Sequence, residues 1–537
     1  MITSLKLDSN EGPLPPAALL EALARLDPDA LRRYPDVSAL EATLASRVGV
    51  PSERVIATAG ADDAIDRVCR AYLGAGRTML LSEPTFEMFD HFAKLSGAAA
   101  LVRVPWRCGE FPLSAFQDRL GERPAVIAVV SPNNPTGAAA TAADVRHLAE
   151  AAPNALVVLD HVYVEYADED LTPAVSDLPN VVVLRTLSKA WGLAGCRIGY
   201  AISSREVIAN LRIAGAPYPV AAPSVALALR QLSNGDAALR AHVACVREER
   251  RALPARLTAL GIDAPPSQAN FILAECGDRA PFLKAALAAL GVIVRDFPNR
   301  PGLTTALRIT LPGEPLAFER LVAALETVLA PEALLFDLDG VLADVQHSQR
   351  AAIAATAQSF GVTVTPAQVT EAIRTGDAAN DWLVTRRLIE AGGCSASLHD
   401  VTERYQSLYL GLRECERLIP PQALLERFAA RVPLAIVTGR PRAEAEWFLE
   451  RAGISHLFGA VVVMEDAPAK PNPAPVRLAL DRLGVRRAWM VGDTPDDMHA
   501  AAQAGVLPLA VAAPGDVAPA GGARVLGNLT DLLELLP

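Results

Sequence analysis

The chain has 537 residues, 51% of them hydrophobic and 21% charged, and carries a formal net charge of -11. That length exceeds what a single core ordinarily organises, so two or three domains are expected, and the apolar fraction excludes a disordered chain. The negative balance excludes a broad basic face for nucleic acid, although a local anion pocket needs only one or two arginines.

In chain order, the N-terminus "MITSLKLDSNEGPLPP" shows no charged-then-apolar signal region. No later stretch approaches the roughly 18 apolar residues of a membrane span, so no membrane partner and a cytoplasmic location are expected. Seven scattered cysteines without metal or redox spacing fit reduced thiols in that compartment. Short apolar runs ending in Ser, Asn, Asp or Gly then alternate with long Ala/Leu-rich segments. Examples are "PAVIAVVSPNN", "NALVVLD" and "NVVVLRTLSK", and later "LAIVTG" and "AWMVGD". Strands from one and helices from the other predict two successive α/β regions with mainly parallel sheets. "ALRAHVACVREERRALPARLTALG" predicts a surface helix. Near "VLAPEALLF", Pro331 ends a helix that begins around Leu316 and a strand starts almost at once. The expected division is therefore 1–330 and 333–537.

Several polar residues stand at or just after those runs: Asn134 in "SPNNPTG", Asp160 and Tyr163 in "VVLDHVY", Ser188 and Lys189 in "RTLSKAWGLAG", and Arg197 in "CRIGY". Each alone has an ordinary explanation, since a lone lysine is usually a solvated charge and an Asp after a strand is usually a helix cap. Together, in this order, they resemble the fold-type I aminotransferases that use pyridoxal 5'-phosphate. Within that group, "LDSNEGPL", "RRYPD", "EPTFEMF", "LSKAWGLAGCRIGY", "QANFILAE", "VIVRDF" and "LRIT" are most similar to histidinol-phosphate aminotransferases over roughly residues 5–330.

The resemblance implies a catalytic pair. Lys189 would form the Schiff base, and Asp160 would keep the pyridine nitrogen protonated so that the ring accepts electrons. It further implies that Asn134 and Tyr163 meet the ring's phenolic oxygen and that Phe86 stacks on the ring. Ser188, Arg197 and the backbone N–H groups of Ala61 and Asp62, at a helix start, would meet the phosphate. Tyr34 would reach the cofactor of a neighbouring subunit, which implies a homodimer. Arg295 and Arg308 match the family's substrate-anion arginines, so a small anionic substrate and an amino donor such as glutamate are expected. Two positions depart from the family pattern: Phe86 stands where Tyr is common, and Gly12 where a larger residue is usual.

In "EALLFDLDGVLAD" an apolar strand ends in Asp-x-Asp-Gly, and two close buried carboxylates without a cation would be very costly. The stretch resembles the first motif of the haloacid dehalogenase superfamily. The other three motifs follow in order: Thr438 in "LAIVTGR", Lys470 in "AKPNP", and Asp493 with Asp497 in "MVGDTPDD". The resemblance implies that Asp337 is the nucleophile and that Asp339 is the general acid and base. Magnesium would sit on Asp337, Asp493 and the main-chain carbonyl of Asp339, and Thr438 and Lys470 would bind phosphoryl oxygens. Asp497 would orient Lys470 or a metal-bound water, and Asp496 reads as a capping or surface residue. Residues of about 345–433 have helical pattern and the size of a helical cap, with Gly376 to Trp382 as a candidate specificity loop presenting Asn380, Asp381 and Trp382.

The expectation is a bifunctional enzyme: a histidinol-phosphate-type transaminase joined to a magnesium-dependent phosphatase. Two alternatives stand beside it. One is a threonine-phosphate decarboxylase-like activity in the first part; the other is a C-terminal part serving only as a binding or regulatory module.

Overall fold

The computed structural model describes residues 4–374 and 380–536. Two compact units emerge, Lys6–Ala280 with Val294–Arg320, and Met1–Leu5 with Pro281–Ile293 and Leu321–Pro537.

The first unit is built on a seven-stranded sheet. Its strands run in the spatial order Val55–Thr58, Gly199–Ile202, Val181–Thr186, Leu156–Asp160, Val126–Val130, Thr78–Glu83, Ala100–Pro105. The three central strands, "VIAVV", "LVVLD" and "VVVLRT", are buried along their whole length, which is why they read as continuous β-branched runs rather than alternating ones. Apolar side chains on the two sheet faces form separate clusters, one around Leu80, Ile127, Val157 and Val183, the other around Leu81, Ala128, Val158 and Val182. Most neighbours are parallel, as expected. Gly199–Ile202 departs from that pattern and runs antiparallel to both of its neighbours. In this return Thr186 pairs with Gly199, which brings the residues just after one strand, Ser188 and Lys189, to the same edge as Arg197, just before the other.

The long polar segment forms the helix Asp236–Ala259. Beside the strand Phe271–Glu275 lies Ala306–Thr310, antiparallel, and against it the end of Val292–Asp296, with Arg295 directly opposite Arg308.

In the second unit a six-stranded sheet is parallel throughout. Its spatial order is Phe458–Val462, Leu434–Val437, Ala333–Phe336, Ala488–Gly492, Leu507–Val511, Val525–Leu526. The opening strand "ALLF" is central and fully buried, so the carboxylates that follow it emerge at the middle of the sheet's carboxyl edge, where open α/β sheets place their ligands. Four helices, Gln349–Ser359, Pro366–Arg374, Asp381–Ala391 and Leu398–Leu412, are inserted between the first two strands of this sheet. They share a small core of Ile353, Val369, Val384, Tyr405 and Tyr409. A two-stranded ribbon, Ala343–Asp344 against Arg417–Leu418, ties the entry and exit of the insertion together. Among the described residues no helix is long and apolar enough to cross a membrane.

Candidate active sites

In the first unit a cavity of about 330 Å³ opens at the carboxyl ends of the central strands. Asp160 is the last residue of its strand and is 2% exposed, with Oδ1 buried and without a hydrogen-bond partner among the described residues. Burial pushes its carboxyl up to about 7. Lys189 lines the same cavity, Nζ donating to Ser9 O at 3.3 Å and lying 5.6 Å from the Tyr163 ring centre. Burial, and then the nearby Arg308 guanidinium, bring the Lys189 amine down to about 8. Tyr163 is buried and receives Asn10 Nδ2 on its hydroxyl at 2.9 Å.

The cavity's other end is an anion cradle. The helix Gly60–Tyr72 begins there, with Ala61 and Asp62 on the cavity wall beside Ser188 and Arg197. Gly60 has φ +83, and a Cβ at that position would come 2.6 Å from Arg197 Nη2, so the close approach of guanidinium to helix start requires glycine. Arg197 pairs with Asp62 at 3.0 Å. Phe86 and Asn134 complete the wall. An orphaned buried carboxylate at one end and a helix start with an arginine and a serine at the other fit a flat cationic heterocycle bearing a phosphate.

Arg295 and Arg308 reach the same cavity, and Arg300, which the sequence reading did not single out, joins them. Arg308 donates from Nη1 to Asn134 Oδ1 and from Nη2 to Asp8 O, both at 2.6 Å. Asn10, also passed over, is nearly fully buried at φ +54 and bridges Tyr163 to Thr310. Tyr34 lies outside the cavity, 79% exposed and stacked on Tyr218 at 4.4 Å. The departure at Gly12 has a steric cause: a Cβ there would meet Lys189 O at 1.7 Å.

In the second unit a cavity of about 140 Å³ is lined by Asp337, Asp339, Lys470 and Asp493. Oxygens of Asp337, Asp493 and Asp497 lie within 4.8 Å of one another. Burial and mutual repulsion push the carboxyls of Asp337 and Asp493 well up. Lys470 lies 2.8 Å from Asp337 and donates to Asp497 at 2.5 Å, yet Asp493 Oδ1 stays buried without a hydrogen-bond partner among the described residues. One ammonium against three carboxylates leaves room for a dication, and an all-oxygen donor set suits magnesium.

Asp497 has a second task, accepting from Thr494 in the capping box that starts the helix Pro495–Ala504. Asp496 lies in the first turn of that helix and also lines the cavity. Thr438 lies at the end of its strand, buried, its hydroxyl accepting from Arg440 N–H at 3.2 Å. Asp339 turns its carboxylate to Arg440, whose Nε donates at 2.7 Å, and Arg440 Nη1 donates to the fully buried Glu416 at 2.9 Å. Neither Arg440 nor Glu416 had been singled out from sequence. Asn380, Asp381 and Trp382 face the cavity, while the preceding part of that loop, 376–379, lies outside the described residues.

Comparisons with known proteins agree with this division of chemistry. Residues 2–325 match the family Aminotransferase class I and II, and residues 334–511 match Haloacid dehalogenase-like hydrolase. A histidinol-phosphate aminotransferase of Roseiflexus castenholzii is 37% identical over 340 residues, which is 60% of this chain and 89% of that protein. An aromatic amino acid aminotransferase of Corynebacterium jeikeium is 35% identical over 318 residues, 56% of this chain and 85% of that protein. The structure of histidinol-phosphate aminotransferase from Sinorhizobium meliloti, in complex with pyridoxal-5'-phosphate, superposes with a TM-score of 0.55 at 27% identity, over 60% of this chain and 90% of that one. The chain belongs to the class I and II aminotransferases and carries a haloacid dehalogenase-like hydrolase in its C-terminal part.

Proposed function

We propose that the chain is a bifunctional enzyme of two catalytic domains joined near Pro331. The first transfers an amino group between a donor such as glutamate and a phosphorylated ketone of the histidinol-phosphate type. The second hydrolyses a phosphate monoester. The observation that carries the first activity is the presence of Lys189 and the buried Asp160 carboxylate in the lining of one cavity.

Pyridoxal phosphate would lie between that pair. Lys189 would hold it, Asp160 would face its ring nitrogen, and Phe86 would stack on it. Asn134 and Tyr163 would meet its phenolic oxygen, and Ser188, Arg197 and the N–H groups of Ala61 and Asp62 would bind its phosphate. Bound there, the cofactor supplies an electron sink that acidifies the substrate's amine-bearing carbon. An amine near 8 leaves Lys189 able to take and return that carbon's proton close to neutral pH. Arg295, Arg300 and Arg308 bind the anionic end of the substrate and orient it. The exposed Leu14, Leu20, Leu31 and Tyr34 of the N-terminal segment support a homodimer in which Tyr34 serves the neighbouring site.

In the second domain Asp337 attacks phosphorus while the ester oxygen leaves with a proton from Asp339. Water, giving its proton back to Asp339, then releases phosphate from Asp337. Asp337, Asp493 and the main-chain carbonyl of Asp339 would hold magnesium, which would supply positive charge to offset that of the phosphoryl group. Lys470 and Thr438 bind phosphoryl oxygens, Asp497 holds Lys470, and the helical insertion acts as the cap that excludes water. The test is one incubation of the purified chain with pyridoxal phosphate, glutamate, magnesium and a panel of phosphorylated ketones, following amine and free phosphate. Amine and phosphate from one compound support the reading. Carbon dioxide release in place of transamination would replace the first activity with a decarboxylase, and retention of phosphate release in Asp337→Asn would refute the second.

A further inference from the structure

The phosphatase cavity is lined by Asp337, Asp339, Lys470 and Asp493, and also by Ile353, Ile373, Trp382 and Tyr405 of the insertion. Two further carboxylates share its wall, Asp381 from the insertion and Glu444 from the helix Arg442–Arg451. A pocket that merely received the uncharged part of an alcohol would not need them.

Among the described residues, each cation on the cavity wall is already engaged. Lys470 bonds Asp337 and Asp497, Arg440 bonds Asp339 and Glu416, and Arg350 pairs with Asp516 at 2.6 Å. Among the described residues, Asp381 and Glu444 form no ion pair. The Asp381 carboxylate accepts the Tyr405 hydroxyl, and Glu444 accepts Gln406 Nε2 at 2.8 Å. Burial, with repulsion from Asp339, raises Asp381 to about 6 against the opposing pull of Arg440 and Arg350, and burial, with repulsion from Asp381 and Asp339, raises Glu444 to about 7 against that of Arg440. Two carboxylates on one cavity wall, each with a single neutral hydrogen-bond donor, form a receptor for a cation, since an ammonium brings N–H donors and removes the repulsion.

Transamination changes a single group of its substrate, turning a carbonyl, which is an acceptor that these carboxylates repel, into an ammonium that they attract. We propose that the phosphatase selects phosphate monoesters whose alcohol carries a protonated amine, read by Asp381 and Glu444, so that hydrolysis follows transamination rather than preceding it. The inference rests on the phosphatase reading above and names its substrate class and its place in the sequence of reactions.

The experiment compares phosphate release by the full chain with magnesium from histidinol phosphate and from imidazole acetol phosphate, its ketone counterpart, with p-nitrophenyl phosphate as an amine-free control. The expected result is a kcat/KM at least about tenfold higher for the amine. In Asp381→Asn and in Glu444→Gln, measured separately, that ratio falls severalfold, chiefly through a higher KM for the amine. A ratio near one in the wild type, a ratio unchanged in both variants, or hydrolysis of the control alone overturns the inference while leaving a phosphatase in place. Release of phosphate from none of the three esters sinks the phosphatase reading itself, and the inference with it.

Discussion

Arg440 holds Asp339 by a hydrogen bond of 2.7 Å from Nε, and the same guanidinium holds Glu416, which also accepts the Ser348 hydroxyl at 2.9 Å and the Tyr409 hydroxyl at 3.1 Å. Arg440 and Glu416 are each almost wholly withdrawn from solvent. Breaking a buried pair by removing one member costs about 3–5 kcal/mol, because the other charge is left uncompensated. Arg440→Met is therefore expected to lower the unfolding midpoint of the C-terminal unit. Glu416→Gln keeps the shape and the hydroxyl contacts, so it should cost less stability yet still loosen Asp339. Its phosphatase kcat should fall by about 10²-fold, the low end of what a positioned acid–base group contributes. Denaturation followed alongside steady-state phosphate release separates the two effects, and a Glu416→Gln protein with full kcat would show that the pair is structural only.

Lys189 gives the transaminase a pH dependence of known sign. A free lysine near 10.5 would be almost wholly protonated at neutral pH, whereas burial and the Arg308 charge bring this one down to about 8. Capture of pyridoxal phosphate by the apo-protein should accelerate as pH rises through about 8 and level off well below 10. Removing the Arg308 charge in Arg308→Gln takes away the second cause of the depression, so the midpoint should move upward while burial still keeps it below 10.5. The growth of the visible absorbance band with pH measures both. A midpoint that stays put in Arg308→Gln would assign the depression to burial alone.

At Gly12 the backbone passes so close to Lys189 O that a Cβ would sit 1.7 Å away. Gly12→Ala must push either the N-terminal segment or the lysine-bearing turn aside, a displacement of the overpacking kind that costs about 1–3 kcal/mol. Weakened retention of pyridoxal phosphate on dialysis is expected, with phosphate release by the C-terminal unit unchanged.

How much of this was legible in the sequence depends on distance along the chain. Asp160, Asp337 and Asp493 each stand at or just after the end of a buried apolar strand, so strand periodicity alone marks them as sitting at a carboxyl edge. Arg440 reads as one more polar residue after a strand, since its partner Asp339 is 101 positions away and no local period links them. Asp381 and Tyr405 belong to different helices of the insertion, and Asn10 meets Thr310 only because the N-terminal segment returns 300 residues later. The antiparallel strand Gly199–Ile202 was likewise hidden, because its four buried apolar or glycine residues look like those of its parallel neighbours. Pattern carries what each element needs locally; long-range charge pairing leaves no such trace.

Asp337, Asp493 and Asp497 crowd their oxygens within 4.8 Å with Lys470 beside them, and Asp493 Oδ1 has no hydrogen-bond partner among the described residues. A dication that binds the folded site and not the unfolded chain stabilises by RT ln(1 + [L]/Kd), about 2.7 kcal/mol at a hundredfold excess over Kd. Added Mg²⁺ should therefore raise the melting temperature of the C-terminal unit, and Asp493→Asn, which removes one carboxylate charge, should blunt the rise. Chelation should abolish phosphate release and leave transamination intact, because the cofactor cavity of the first unit contains none of these carboxylates. Calorimetric scans at increasing Mg²⁺, paired with both activity assays on one preparation, decide the matter. Phosphate release that persists through exhaustive chelation would mean that Lys470 alone offsets the phosphoryl charge.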